Sequence, residues 1–300
     1  MHRATDRLLA LQERDGSWRD YDLEPGRSDA WITAVAGTCL ASVFPEDERV
    51  HAACARAAAF LEAERRAAGW GYNRNAACDA DTTSWVVRFL AQRDRISRAD
   101  AESLLRPFFD AEGRAHTFNA ARFGSWAHAH EDVTPNAGLA LLAAGVPVEQ
   151  LRTLRETHLA VFRPGTGWTS FWWSSDSYAN ALSLEFLDAS GGIPDPVRHG
   201  LVLPEGDPPS AFEAAQRLTV RTLLGLDPGD EIAWLHAAQL PDGSWSGAPV
   251  LRVPDQSDGA RYSEHADTSA ILTTGLVIRA LRGGRTPPGS VGECDRSARS

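Results

Sequence analysis

An all-α (α/α)6 barrel of six outer–inner helix pairs is the fold this sequence predicts, and three observations predict it. First, one plan recurs along the chain: a Gly/Trp turn, a polar loop, a short acidic or hydroxyl cluster, then an apolar run. The clusters centre on Asp29, Asp81, Asp132, Asp176 and Asp267, at steps of 52, 51, 44 and finally 91 residues. The last gap leaves room for one degenerate repeat, filled by the helix-like run 211–224. Second, the segments between clusters carry apolar residues at three- and four-residue spacing, the period of amphipathic helices. Third, strand signals are almost absent, so helices must bury their apolar stripes against other helices. An open helical solenoid would use the same repeat, but the closing repeat and the total length favour a closed ring.

Taken in order, the outer helices are expected over 2–12, 48–65, 98–109, 148–161, 191–200 and 231–239. Ser97 and Pro147 stand where helix starts call for them. Pro194 and Pro196 leave room for only a short fifth outer helix. The inner helices are expected to begin near 29, 81, 132, 176, 211 and 267, and to line a central cavity. Residues 1–282 form one domain in this reading. The tail 283–300, rich in Gly, Pro, Ser and Arg, is expected to be disordered.

Gln12-x-x-x-Gly16-x-Trp18 and Gln239-x-x-x-Gly243-x-Trp245 are one phrase at opposite ends of the chain. Glycine permits a left-handed turn after a helix, Gln can cap free carbonyls, and Trp can pack over the turn. Looser versions stand at Gly69-Trp70, Gly124-Ser125-Trp126 and Gly167-Trp168. These turns are expected to staple neighbouring repeats and to have no chemical role.

Composition narrows the function. The chain has 300 residues, is 43% hydrophobic, and carries a net charge of −10 with every basic residue an Arg. That balance excludes a general nucleic-acid binder, which needs a basic patch to release counterions. No apolar run reaches the ~20 residues that span a bilayer, and the N-terminus lacks a signal-peptide core, so a cytoplasmic location is expected. Cys39, Cys54, Cys78 and Cys294 are scattered without a C-x-x-C pair, which argues against a disulfide framework or a cysteine zinc site.

The chemistry concentrates in Asp79-Ala80-Asp81-Thr82-Thr83-Ser84-Trp85, just before Val86, Val87, Phe89 and Leu90. A second phrase, Glu131-Asp132-Val133-Thr134-Pro135-Asn136, stands in the equivalent place in the next repeat. Acids at the mouth of an apolar helical cavity suit protonation of a carbon–carbon double bond. An Asp must be protonated to do this, so a dry cavity and the neighbouring Asp79 would have to oppose the helix dipole, which favours the anion. Aromatic faces would then shield the resulting cation at roughly 0.5–2 kcal/mol each. Trp31, Trp85, Trp126, Trp168, Phe171, Trp172, Trp173 and Tyr178 lie at or near inner-helix ends. Trp172, Trp173 and Tyr178 are the leading substrate contacts, with Trp85, Phe171 and Arg261 beside them.

These turns and phrases resemble the squalene–hopene cyclase and class II terpene cyclase superfamily, in its catalytic (α/α)6 domain. The resemblance runs along the whole chain as a repeat and is sharpest around 69–90 and 124–142. It implies that Asp81 is the general acid of a protonation-initiated cyclisation, that Asp79 flanks it, and that Asn136 orients it. Thr82 stands where many members keep a third Asp. The implied substrate is a linear isoprenoid, a C15 or C20 prenyl diphosphate that keeps its diphosphate, with Mg²⁺ required only for such a head group. The family usually adds a second helical domain for which this length has no room. Loops such as 246–264, a second cyclase subunit or a homodimer are therefore expected to close the cavity. A non-catalytic barrel serving as a partner subunit is an alternative, as is a carbohydrate-active barrel pairing Asp81 with Asp132 or Asp176. A zinc prenyltransferase is a further one, against which the Asp-x-Cys element is missing; His265, His128 and His130 are read as ordinary loop residues, with no metal site.

Overall fold

The computed structural model describes residues 1–284, and the rest of the expected tail lies outside the described residues. Among the described residues twelve α-helices alternate between two layers. The inner helices are α2 (Ala30–Val43), α4 (Ala80–Ala91), α6 (Thr134–Ala143), α8 (Asp176–Ala189), α10 (Ala211–Leu224) and α12 (Ile271–Gly283). Each packs on the next, and α12 packs back on α2, so the ring is closed. The outer helices are α1 (His2–Ala10), α3 (Glu48–Ala63), α5 (Arg98–Leu105), α7 (Arg152–Ala160), α9 (Asp195–Gly200) and α11 (Gly229–Ala237). Inner helices are buried on nearly every side, whereas α3 buries only a stripe of Val50, Ala53, Cys54, Ala57, Ala58, Phe60 and Leu61.

Local chemistry sets the boundaries. Ser97, Ser175 and Ser210 accept backbone N–H groups at the starts of α5, α8 and α10, supplying partners the first turn lacks. The third outer segment leaves α-geometry at Leu105, where Pro107 imposes a 3-10 turn over Arg106–Phe108. The fourth opens as a 3-10 turn, Val148–Leu151, after Pro147.

The turns that repeat Gln, Gly and Trp are staples, as expected. Gln12 Nε2 donates to Gly16 O (2.9 Å) and to Ala53 O (2.8 Å) in the next outer helix, while Trp18 Nε1 donates to Leu8 O (2.7 Å). At the far end Gln239 Nε2 reaches Gly243 O and Trp245 Nε1 reaches Leu235 O. Gly16 and Gly243 sit at φ +93° and +90°, backbone geometry that a side chain would strain. Trp70 and Trp168 repeat the pattern on Leu61 O and His158 O. Trp126 departs from it, because its indole donates instead to Pro254 O at the barrel mouth.

Two antiparallel hairpins were not foreseen. β1 (Asp20–Leu23) pairs with β2 (Gly26–Ser28), and β3 (Pro249–Pro254) pairs with β4 (Tyr262–Ala266). The second corrects the expected start of the last inner helix, since Tyr262–Ala266 is extended and α12 begins at Ile271. Prolines at both ends of β3 suit a two-stranded ribbon with an open edge, and they masked its strand pattern. Asp20 locks the ring: its carboxylate accepts Ser269 N and Ile271 N, so the first repeat caps the last inner helix.

Candidate active site

The inner helices and the mouth loops enclose a cavity of about 760 Å³. Apolar and aromatic groups dominate its wall, including Trp31, Tyr72, Phe118, Trp126, Trp172 and Trp173. Asp79, Asp81, Thr82, Thr117 and Asp132 supply polar groups of the wall's interior.

Helix α4 presents two carboxylates in different roles. Asp79 is its N-cap: Oδ1 accepts Thr82 N (2.7 Å) and Oδ2 accepts Thr82 Oγ1 (2.9 Å). Thr82 therefore satisfies Asp79 and adds no third charge. Asp81 lies in the first turn and is half-buried, open toward the cavity. Its Oδ1 accepts Asn136 Nδ2 from α6 (2.8 Å), and its Oδ2 accepts Trp31 Nε1 from α2 (3.0 Å). Three successive inner helices thus converge on one carboxyl. Both partners are neutral donors, so a proton on Asp81 must occupy a lone pair that neither of them faces.

Burial raises all three cavity acids. Asp81 is pushed up to about 6 by loss of water, against the opposing pull of the Asn136 and Trp31 hydrogen bonds. Asp79 rises to about 7, driven first by burial and opposed by Thr82 N. Asp132 also rises to about 7 by burial, although its Oδ2 accepts both Phe171 N and Trp172 N (2.8 Å each). Its Oδ1 is buried without a hydrogen-bond partner. A carboxyl raised to about 6 keeps a protonated fraction near neutral pH, the state in which it can give a proton.

The structure sorts the expected substrate contacts. Trp172, Trp173 and Arg261 line the cavity. Trp85, Tyr178 and Phe171 stand outside its wall. Trp85 is one turn beyond Asp81 on α4, and with Tyr178 it lines a small internal void. Phe171 is turned aside by face-to-face stacking on His130, with ring centroids 3.7 Å apart. His265 projects from β4 and bonds Ser263 Oγ (2.8 Å). Among the described residues no group of three or more His, Cys, Asp or Glu could hold a metal ion.

Sequence reasoning missed the bond from Trp31 to Asp81, the ionic group beside Asn136, and the hairpin form of the loop expected to close the mouth. Asn136 Oδ1 accepts Arg88 Nη1 (3.0 Å), a contact no spacing rule indicates because it joins different helices. The cover is the β3–β4 hairpin, whose Leu251, Val253, Pro254, Arg261 and Tyr262 line the cavity. Trp126 Nε1, Ser125 N and Arg252 N pin it to loops of the third and fourth repeats. The segment 246–264, expected to help close the cavity, thus contributes an ordered hairpin to the mouth. Phe118, Phe123 and Trp126 stack beside it, with Phe118 and Phe123 centroids 4.4 Å apart.

No protein-family model matches the chain, and no curated protein matches it. Solved structures do. The apo form of a variant of the type II terpene cyclase MstE from Scytonema is 26% identical, covers 94% of this chain and 95% of its own, and superposes with a TM-score of 0.82. Another MstE variant, in complex with geranylgeranyl dihydroxybenzoate, is 24% identical over 94% of this chain and 95% of that one, with a TM-score of 0.79. An ent-copalyl diphosphate synthase from Streptomyces platensis is 19% identical over 85% of this chain and 50% of its own length, with a TM-score of 0.62. The chain has a class II terpene cyclase-like fold. Among the described residues no helix is long and apolar enough to cross a membrane.

Proposed function

We propose that this protein is a class II terpene cyclase in which Asp81 protonates the terminal double bond of a linear isoprenoid. One observation carries the reading: a half-buried carboxyl, raised toward neutrality, lines an aromatic cavity and is held by two uncharged donors. In the step, the Asp81 O–H bond breaks and a C–H bond forms at the alkene carbon. The alkene's electron pair makes that bond and leaves a tertiary cation. Neighbouring double bonds then attack in turn, and the cascade ends by proton loss or capture of water. Asn136 and Trp31 hold the carboxyl in place, and Asp79 with Thr82 fixes the helix start that carries it. Trp31, Tyr72 and Trp173, with centroids 6.4 and 6.0 Å from Trp31, form an aromatic wall suited to shielding the cation.

A prenyl diphosphate of C15 or C20 remains the substrate class the sequence points to. Arg261 and His265 would meet its head group, but Glu24 and Asp255 share the rim. Mg²⁺ would then be held mainly by the diphosphate oxygens with at most one or two rim carboxylates, since among the described residues no cluster of three or more His, Cys, Asp or Glu could hold it. A second reading, a prenylated aromatic acid, draws on the Phe118–Phe123–Trp126 stack at the mouth and on the substrate bound by MstE. A non-catalytic barrel needs no acid poised in a closed cavity. A second subunit would be needed only if the β3–β4 hairpin fails to exclude water.

The test is incubation with farnesyl diphosphate or geranylgeranyl diphosphate plus Mg²⁺, and separately with geranylgeranyl dihydroxybenzoate, each beside Asp81→Asn. Cyclised product from wild type alone supports the reading and identifies the head group. Failure of all three substrates with folded protein would sink it.

A further inference from the structure

The reading of Asp81 as the acid leaves a buried ionic cluster without a purpose. Arg88 lies two turns beyond Asp81 on α4 and is 5% exposed. Its guanidinium stacks 4.5 Å over the Trp85 ring, and its Nη1 donates to Asn136 Oδ1 (3.0 Å). Its Nη2 reaches Glu185 Oε2 on α8 (3.4 Å), which also accepts Arg279 Nη2 from α12 (2.8 Å). Two guanidinium groups thus share one carboxylate in the barrel interior. Burying ions is costly, and a cluster with one positive charge left over is costlier still.

Two consequences follow from the chemistry of the groups. An amide has a donor end and an acceptor end, whereas guanidinium only donates. Arg88 therefore claims the oxygen of Asn136 and leaves only its NH₂ to face Asp81. The uncompensated positive charge, in turn, lacks its counter-ion while Asp81 is protonated and gains one when Asp81 gives up its proton. The charged and titratable groups around Arg88 are Glu185 and Tyr178 from α8, Arg279 from α12 and Asp81 from its own helix, with Cys39 of α2 behind Arg279.

We propose that Arg88 is a positioning residue that fixes the amide of Asn136 on Asp81 and, with Arg279 and Glu185, supplies the net positive charge that stabilises the Asp81 carboxylate left by proton transfer. The proton count is unaffected: Asp81 gives one proton to the alkene and must be reprotonated before the next turnover, while Arg88 stays charged throughout.

The experiment follows the Asp81 titration in the full chain by carboxyl-detected NMR, using Asp81→Asn to assign the signal, in Arg88→Met, Arg88→Lys and Glu185→Gln. Removing the positive charge should raise the Asp81 midpoint by about one pH unit. Arg88→Lys should hold it near the wild-type value. Glu185→Gln removes the negative partner and should move the midpoint the opposite way, downward. A merely structural Arg88 would lower the melting temperature of these variants without this split in sign. If Arg88→Met does not fold, Arg88→Lys and Glu185→Gln still decide the matter. An unmoved midpoint in Arg88→Met or Glu185→Gln, or a shift in the same direction for both, overturns the proposal. This readout needs no substrate, so failure of the cyclase reading would appear separately, as wild-type protein that folds and titrates yet makes no product.

Discussion

Trp31 Nε1 donates to Asp81 Oδ2 across 3.0 Å, although the residues stand 50 positions apart on separate inner helices. An aromatic ring placed by the sequence only near an inner-helix end thus also holds the carboxyl proposed as the acid. Replacing it with Phe separates the roles. Trp31→Phe keeps an aromatic face but removes a bond that favours the carboxylate, so the Asp81 midpoint should rise and the alkaline limb of the rate profile should move up with it. A profile that stays in place would show the bond to be incidental.

Wild-type turnover should itself fall with rising pH. Asp81 must be protonated to act, and its midpoint lies near 6. Above that value kcat/KM should drop on the order of tenfold per pH unit. A flat profile between pH 5 and 8 would remove Asp81 from the role of acid.

Asp81→Asn keeps the side-chain shape but carries no acidic proton and offers one acceptor oxygen to the two donors Asn136 Nδ2 and Trp31 Nε1. Its turnover should be lower by roughly 10²–10⁴ with unchanged circular dichroism, the range typical of a lost general acid. Residual activity near wild type would point to another donor in the cavity.

Asp132 provides a stability test. Burial pushes its carboxyl up from the usual value of 3.8 to about 7 in the folded chain. Between those values the folded chain binds more protons, so stability falls as pH rises, by a few kcal/mol, on the order set by a shift of this size. Asp79 and Asp81, both raised, act in the same direction. The melting temperature should be higher at pH 5 than at pH 8, and Asp132→Asn should flatten that slope. An unchanged slope in the variant would show that Asp132 is not its source.

Trp18→Ala tests the staples apart from the chemistry. Trp18 is fully buried, and truncation of such a ring costs roughly 3–5 kcal/mol. Chemical denaturation should register that loss, while the remaining folded protein at low temperature should keep its Asp81 titration unchanged. A shifted midpoint would mean that the staple also shapes the site.

Much of this was legible in the chain because it is local. Twelve helices could be placed from apolar period, capping residues and prolines, since each signal acts within a turn or two. Gln12, Gly16 and Trp18 announced their turn because the capped carbonyl and the stapled helix are near in sequence. The acidic phrase around Asp81 and the Asn136 phrase were visible for the same reason, each marking the start of an inner helix. The β3–β4 hairpin was not, because a two-stranded ribbon bounded by prolines has little alternation to read.

What the sequence by itself determined is the repeat, the closed barrel it implies, and the position of an acid at an inner-helix start. Tertiary structure decided which groups meet. It brought Trp31 and Asn136 to opposite oxygens of Asp81, set Arg88 behind Asn136, laid the hairpin over the mouth, and turned Phe171 and Trp85 away from the cavity. Those outcomes depend on contacts between helices many residues apart, and on loss of water in the closed ring, which moves the acids toward neutrality. Neither burial nor a cross-helix hydrogen bond exists until the ring is closed.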